Sequence, residues 1–151
     1  MKIEDEIKQP QFKSIHQKAI INLIYTNNWF HRNQKHIFTQ FDITPQQFNL
    51  LRILRGRYPV ALNPKEIKEV MIDKTPDITR LVDRLLIKEF VTREVCEENR
   101  KMMDIKITDK GCEILDEIDP FIWEQIEKLE KVLTTNEANE LNRLLDKFRD
   151  M

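Results

Sequence analysis

Several charged side chains between residues 75 and 88 recur at helical spacing. Asp77, Arg80 and Arg84 fall along the polar side of a predicted helix. Arginine donates paired hydrogen bonds to guanine in the major groove, and a carboxylate can accept one from cytosine. The same arginines could instead form ordinary surface ion pairs with Asp77 and Asp83 on their own helix. The residue types alone leave both interpretations open.

The opposite side of this helix is apolar, and a hairpin follows it. Two strands are predicted at about Phe90–Cys96 and Met103–Thr108, joined by a segment without apolar residues at 97–101. A polar-faced helix followed by a hairpin is the anatomy of a winged helix-turn-helix. There the helix fits the major groove, and the hairpin tip reaches the backbone or the minor groove. The apolar stripe recurs at the helical period and consists of Ile78, Leu81, Val82, Leu85 and Leu86.

Composition limits the classes of protein to which the chain can belong. Its 151 residues suit one domain, or one domain with an added assembly element. Gly56 and Gly111 are its two glycines, which argues against a turn-rich sheet fold and against a phosphate-cradling loop. No apolar run approaches the roughly 18 residues of a membrane span. Cys96 and Cys112 fall on different predicted elements, so we expect a reduced cytoplasmic protein that does not contact the membrane.

Charge is unevenly distributed along the chain. The net charge is −1, but residues 1–110 hold 20 basic against 15 acidic residues, and residues 111–151 hold 5 against 11. The acidic excess therefore lies outside the predicted DNA-binding region. Residues 63–110 are neutral, with 11 of each sign, so attraction to DNA must come from the placement of charges.

Capping residues and prolines predict where the helices begin. Thr44-Pro45, Asn63-Pro64 and Thr75-Pro76 each place a capping residue before a proline at the first helical position. Thr108 and Thr134 predict two further starts. Pro120 is expected to kink or interrupt the helix that contains it. The predicted order is ααααββαα, a mostly α fold with a small β-hairpin wing, with helices at about 11–38, 45–56, 64–71, 76–88, 109–132 and 135–149.

The terminal helices carry more apolar surface than a small winged domain needs for its own core. A second copy of the chain is the simplest partner for that surplus. The predicted organisation is a flexible N-terminus at 1–10 followed by a single domain at 11–151. Within that domain, residues 45–110 form the winged helix-turn-helix lobe, and residues 11–38 and 111–151 form dimerisation helices.

Three stretches together resemble the MarR (multiple antibiotic resistance regulator) family of bacterial transcription factors. They are residues 43–48 at the start of the second helix, residues 79–85 in the recognition helix, and residues 107–111 after the wing. The resemblance implies a homodimeric repressor whose two lobes read a pseudo-palindromic operator in double-stranded DNA. It also implies a possible small-molecule effector that lowers DNA affinity from a cleft between the dimer helices and the lobe. The DNA contacts that follow are Lys74, Thr75, Pro76, Asp77, Thr79, Arg80, Arg84, Arg100 and Lys101.

The wing departs from the family pattern. The family often has Asp-x-Arg at the tip, with the arginine in the minor groove, whereas this chain has Asn99-Arg100-Lys101. Either Arg100 or Lys101 could enter the groove, and Arg84 could brace the wing instead of touching DNA.

Other candidate sites have little support in the sequence. Tyr25, Trp29 and Phe30 are expected in core or dimer packing, with an aromatic effector pocket as the alternative. The histidine spacing does not favour a metal site, no cofactor is expected, and the parts of a catalytic site are lacking. The rival to a DNA-binding regulator is a winged-helix protein-interaction module, because residues 63–110 carry no net charge.

Overall fold

The computed structural model describes residues 1–96 and 103–150. Their order confirms the predicted sequence of elements and adds one short helix at the N-terminus. The chain forms two compact units, one from Met1 to Pro45 and the other from Gln46 onward. The elements are α1 Ile3–Glu6, α2 Ile15–Gln40, α3 Pro45–Arg57, α4 Pro64–Val70, α5 Ile78–Ile87, β1 Val91–Val95, β2 Met103–Ile107, α6 Asp109–Glu130 and α7 Thr135–Arg149.

In the first unit, side chains of α1 contact α2. Helix α2 starts later than predicted because Ser14 is its N-cap and accepts a hydrogen bond from the backbone N–H of Gln17 at 3.0 Å. Lys18 forms an ion pair with Glu4 of α1. The Tyr25 hydroxyl donates to Glu6 of α1 at 2.6 Å.

The core of the second unit is built from one face each of α3, α4 and α5, together with side chains of the hairpin and of the first half of α6. The α5 stripe is confirmed at four of its five predicted residues, since Ile78, Leu81, Val82 and Leu85 are buried and Leu86 is half-buried. Burying each such side chain stabilises the fold by about 1.5–3 kcal/mol. Other fully buried side chains of this unit are Leu50, Leu51 and Leu54 of α3, Ile67 of α4, Met71 directly after α4, Ile105 of β2, and Leu115 and Ile118 of α6.

The hairpin is antiparallel, and a third segment pairs with it. Val91 pairs with Ile107, and Val95 pairs with Met103. Leu62 adds a bridge, because its N–H donates to the Ile105 carbonyl at 3.0 Å and its carbonyl accepts the reverse bond at 2.9 Å. After the end of β2, a Cβ on Gly111 would lie 2.2 Å from the carbonyl oxygen of Phe90, so only glycine fits there.

The second half of α6 and the whole of α7 are less buried than the core helices. Helix α6 passes through Pro120 without the interruption that the sequence allowed for, and it ends at Glu130. Thr134 caps α7 as predicted, and α7 contributes no buried residue. None of the helices in the described residues contains an apolar stretch that could span a bilayer.

Candidate nucleic-acid interface

Helix α5 begins two residues later than the sequence predicts, and Asp77 is its cap. One Asp77 carboxylate oxygen, Oδ1, accepts hydrogen bonds from the backbone N–H groups of Thr79 at 2.9 Å and Arg80 at 3.4 Å. The prediction of Thr75 as the cap and Pro76 as the first helical residue is therefore wrong. Aspartate is a better N-cap than threonine, and its negative charge also suits the positive end of the helix dipole.

The residues before α5 form a turn instead of a helical start. The Thr75 N–H donates to Asp73 Oδ1 at 2.9 Å, a local bond of the kind that favours turns over helix. The sequence predicts Asp77 in the first turn of the helix, but it lies one residue before α5 as the N-cap. Its Oδ1 atom is therefore occupied by capping hydrogen bonds.

The solvent face of α5 carries the predicted arginines. The Arg80 side chain is 83% exposed, and its Nε lies 3.8 Å from Asp77 Oδ2. An exposed pair at that distance contributes little to stability, so it leaves the guanidinium available to a ligand. Thr79 and Arg84 are also exposed. The face therefore has the hydrogen-bonding groups that suit the edges of bases.

A groove of about 630 Å³ lies where α4 meets the start of α5. We call it the lysine groove, because Lys65 and Lys68 of α4 and Lys74 of the turn line it. Thr75, Pro76, Asp77 and Thr79, all predicted as DNA contacts, line the same groove. Lys74 Nζ donates to the Glu69 carbonyl at 3.1 Å, which holds its charge at the edge. The carboxylates of Glu69 and Asp77 also line the groove, so the three lysines leave it with one net positive charge, which favours an anionic ligand such as a phosphate.

Lys65 and Lys68 are not among the DNA contacts predicted from the sequence. They are three residues apart on α4 and so lie on one side of it. That spacing is the signal that could have found them, but a short helix with two acidic residues gave no reason to single out its lysines.

An ion pair braces the hairpin against α5. Arg93 of β1 donates through Nη1 to Asp83 Oδ1 of α5 at 2.6 Å. The sequence suggests Arg84 as a possible brace, whereas Asp83 forms this bond. Arg100 and Lys101 lie outside the described residues.

Comparisons with known proteins give this arrangement a family. The sequence model of the protein family described as the MarR family matches residues 43–102 of this chain. The chain is 30% identical over 107 residues to the multiple antibiotic resistance protein MarR of Escherichia coli strain K12, covering 70% of this chain and 73% of that protein. The chain belongs to the MarR family. It is also 24% identical over 109 residues to the regulator PecS of Dickeya dadantii, where the match covers 72% of this chain and the chain spans 64% of the relative.

A solved MarR-family structure agrees with the fold over almost the whole chain. A mutant MarR from E. coli, complexed with operator DNA, matches with a TM-score of 0.72 and 26% identity, covering 98% of this chain and 99% of that chain. The family match at residues 43–102 contains α4, α5 and β1, which carry the described part of the candidate interface.

The aromatic residues proposed for an effector pocket are only partly brought together in this MarR-family chain. Tyr25 and Trp29 line a cleft of about 270 Å³ beside α1, and Phe30 is not one of its lining residues. Trp29 is 50% exposed and Phe30 45% exposed, so neither belongs to the core of a single chain. Within the described residues, no group of three side chains is placed to hold a metal ion.

Proposed function

We propose that the chain is a sequence-specific, double-stranded-DNA-binding transcription regulator that works as a homodimer. The observation that carries the proposal is the exposed Arg80 face of α5 beside the lysine groove, in a chain of the MarR family. The curated relatives are named as transcriptional regulators or as MarR proteins, and the E. coli MarR mutant was solved with operator DNA.

In the proposed complex, the start of α5 enters the major groove. Arg80 and Thr79 reach base edges, and Arg84 lies one turn further along the helix. Phosphates beside the major groove are neutralised by Lys65, Lys68 and Lys74. These contacts position the protein on the DNA without reading its sequence. The three lysines thus supply positive charge beside the helix, although residues 63–110 as a whole are neutral.

The Asp77 side chain has two roles in this proposal. Oδ1 holds the first turn of α5, and Oδ2 stays near Arg80. A carboxylate beside phosphate is repulsive, so any contact with cytosine would use Oδ2. We expect the capping role to dominate.

A second copy of the chain is the proposed partner of the C-terminal helices. Trp123 and Leu129 of α6 are more than half exposed, and Leu141 and Leu144 of α7 are nearly so. These side chains recur along both helices, and burying them between two copies would remove a large apolar area from water. A dimer would place two recognition helices in successive major grooves of a pseudo-palindromic operator.

The wing supplies the remaining proposed contact. Replacing Arg100 and Lys101 by alanine should flatten the salt dependence of binding by about 0.9 in log–log slope for each phosphate that is no longer neutralised. Base preference in the major groove should survive, since α5 reads those edges. A slope and affinity equal to wild type would mean that the tip does not touch DNA.

The regulatory role proposed is repression by occlusion of a promoter in the cytoplasm, without enzymatic activity of its own. A small-molecule effector is proposed to release the repressor, and the cleft beside Tyr25 and Trp29 is the candidate place in the first unit. A thermal-shift screen against aromatic compounds would test that cleft, with Trp29→Ala as the variant that should lose the shift.

The test of the proposed function is selection of bound duplexes from a random pool by the wild-type protein. We expect one pseudo-palindromic sequence to be enriched and its affinity to fall steeply with salt. The neutral charge of residues 63–110 favours one alternative, a winged-helix module that binds another protein. Failure to enrich any duplex would support that alternative.

A further inference from the structure

Two arginines of α3 face two aspartates of α6 in the second unit. Arg55 donates through Nη1 to Asp116 Oδ1 at 2.8 Å and through Nη2 to Asp119 Oδ2 at 2.7 Å. Arg52 Nη1 lies 3.1 Å from Asp119 Oδ1 and 3.3 Å from Asp119 Oδ2. Both arginines and both aspartates are three residues apart, so one side of each helix supplies its pair. We call these four residues the arginine–aspartate clamp.

The centre of the clamp is partly shielded from water. The side chains of Asp119 and Arg55 are 21% and 26% exposed, whereas that of Asp116 is 74% exposed. The hydrogen bond to Asp119 raises the pKa of Arg55, against an opposing effect of burial. Planar guanidinium groups bind carboxylates with strict geometry, and a partly buried charge that loses its partner is penalised. The clamp therefore favours one orientation of α6 on α3.

The clamp ends at the point where the side chains of α6 change from buried to exposed. Pro120 follows Asp119 directly, and it has no N–H to donate to the carbonyl of Asp116. Before the proline, Leu115 and Ile118 are fully buried; after it, Trp123 and Leu129 are more than half exposed. The first half of α6 is thus held to α3, and the second half carries apolar surface that is uncovered in one chain.

We propose that the arginine–aspartate clamp determines which half-site spacing the dimer accepts. This inference rests on the proposed function, in which the second half of α6 joins the two copies. The clamp fixes the direction in which that half leaves the lobe carrying α5. A change in this direction moves the two recognition helices relative to each other. Half-sites one helical turn apart, about 34–36 Å, require that distance to be held closely.

The test uses a duplex selected by the wild-type protein and two versions of it, with the centre shortened or lengthened by one base pair. Asp119→Asn keeps the size of the side chain and removes the charge that both arginines share. Wild type should prefer the selected spacing by about tenfold, and Asp119→Asn should reduce this ratio about threefold or more. The ratio compares two duplexes with the same protein, so a general loss of folded protein does not change it.

Asp146→Asn is the matched control, because it removes the same charge from an exposed ion pair with Arg149 on α7. Its spacing ratio should equal that of wild type. A wild-type ratio in folded Asp119→Asn would overturn the inference and leave the proposed function intact. If Asp119→Asn does not fold, Arg52→Gln and Arg55→Lys are measured instead, and an unchanged ratio in both overturns it. If wild type enriches no duplex, the proposed function fails and this inference fails with it.

Discussion

Helices α5 and α7 both have an apolar stripe, yet only α5 has its stripe covered within the chain. Four α5 residues are buried, and Leu85 is fully so. On α7, Leu141, Leu144 and Phe148 recur at i, i+3 and i+7 but remain 46%, 48% and 37% exposed. An apolar stripe thus predicts that a face will be buried without telling which surface will bury it. For α5 the partner is the lobe itself, and for α7 we propose a second copy.

The largest expected effect comes from placing charges on the uncovered stripe. Leu141→Glu with Leu144→Glu should abolish the dimer, because each covered side chain contributes about 1.5–3 kcal/mol and is removed from both copies. Sedimentation at micromolar concentration should change from twice the 18.3 kDa chain mass to a single chain. Asn139→Glu with Asn142→Glu adds the same charge and spacing off the stripe, and should remain a dimer. A wild-type monomer would remove the basis of the comparison.

Substitutions on the covered stripe of α5 should lower the stability of the fold and should not act through dimer formation. Leu85→Ala should lower the free energy of unfolding by about 2–5 kcal/mol, because it leaves a cavity among fully buried side chains. Ile87→Ala, on the same helix at 84% exposure, should stay within about 0.5 kcal/mol of wild type. Denaturant unfolding checks both. Equal effects of the two variants would show that the α5 stripe is not packed as described.

The polar side of α5 should affect binding without affecting folding. Arg80→Ala should weaken DNA binding by about 1–3 kcal/mol per dimer and relax the preference for particular bases. Arg149→Ala on α7 removes the same charge and should leave base preference unchanged. Titration of selected and mutated duplexes measures both properties. Unchanged affinity of Arg80→Ala with wild-type helicity would exclude this face from the interface.

The smallest effect concerns the first turn of α5. Asp77→Ala should destabilise the protein by about 0.5–2 kcal/mol, since two backbone N–H groups lose their acceptor. Asp77→Asn keeps a capping oxygen and should retain most of the stability. Thermal melting of both variants tests this, and an equal loss in both would mean that charge, not capping, stabilises the turn.

How much the sequence could predict depended on whether a feature is local. The α5 stripe and the cap at Thr134 depend on residues within a few turns of one another, and both are confirmed. The sequence misplaces the start of α5 because Thr75-Pro76 and Asp77 are competing starts, and Asp77, the stronger cap, is the one that the structure uses. The bond between Arg93 and Asp83 depends on how the hairpin folds against α5, and sequence spacing alone does not specify it.

Features that join distant segments could not be predicted, because sequence spacing does not specify which segments pack together. The lysine groove combines residues of α4 with the turn before α5, and the clamp joins α3 to α6. Each half looks like ordinary surface charge in the sequence, where solvated charged faces are common. Their meaning appears only when packing brings the two segments within hydrogen-bonding distance.

The bridge between Leu62 and Ile105 has a consequence for the order of folding. These residues are far apart in the chain, and both of their backbone hydrogen bonds close a loop that contains α4 and α5. Closing so long a loop costs entropy that is recovered only once the enclosed helices are packed. The β1–β2 hairpin can form its own local bonds early, but its third partner must arrive late. In pulse-labelling hydrogen exchange, the amides of Leu62 and Ile105 should therefore gain protection after those within α5.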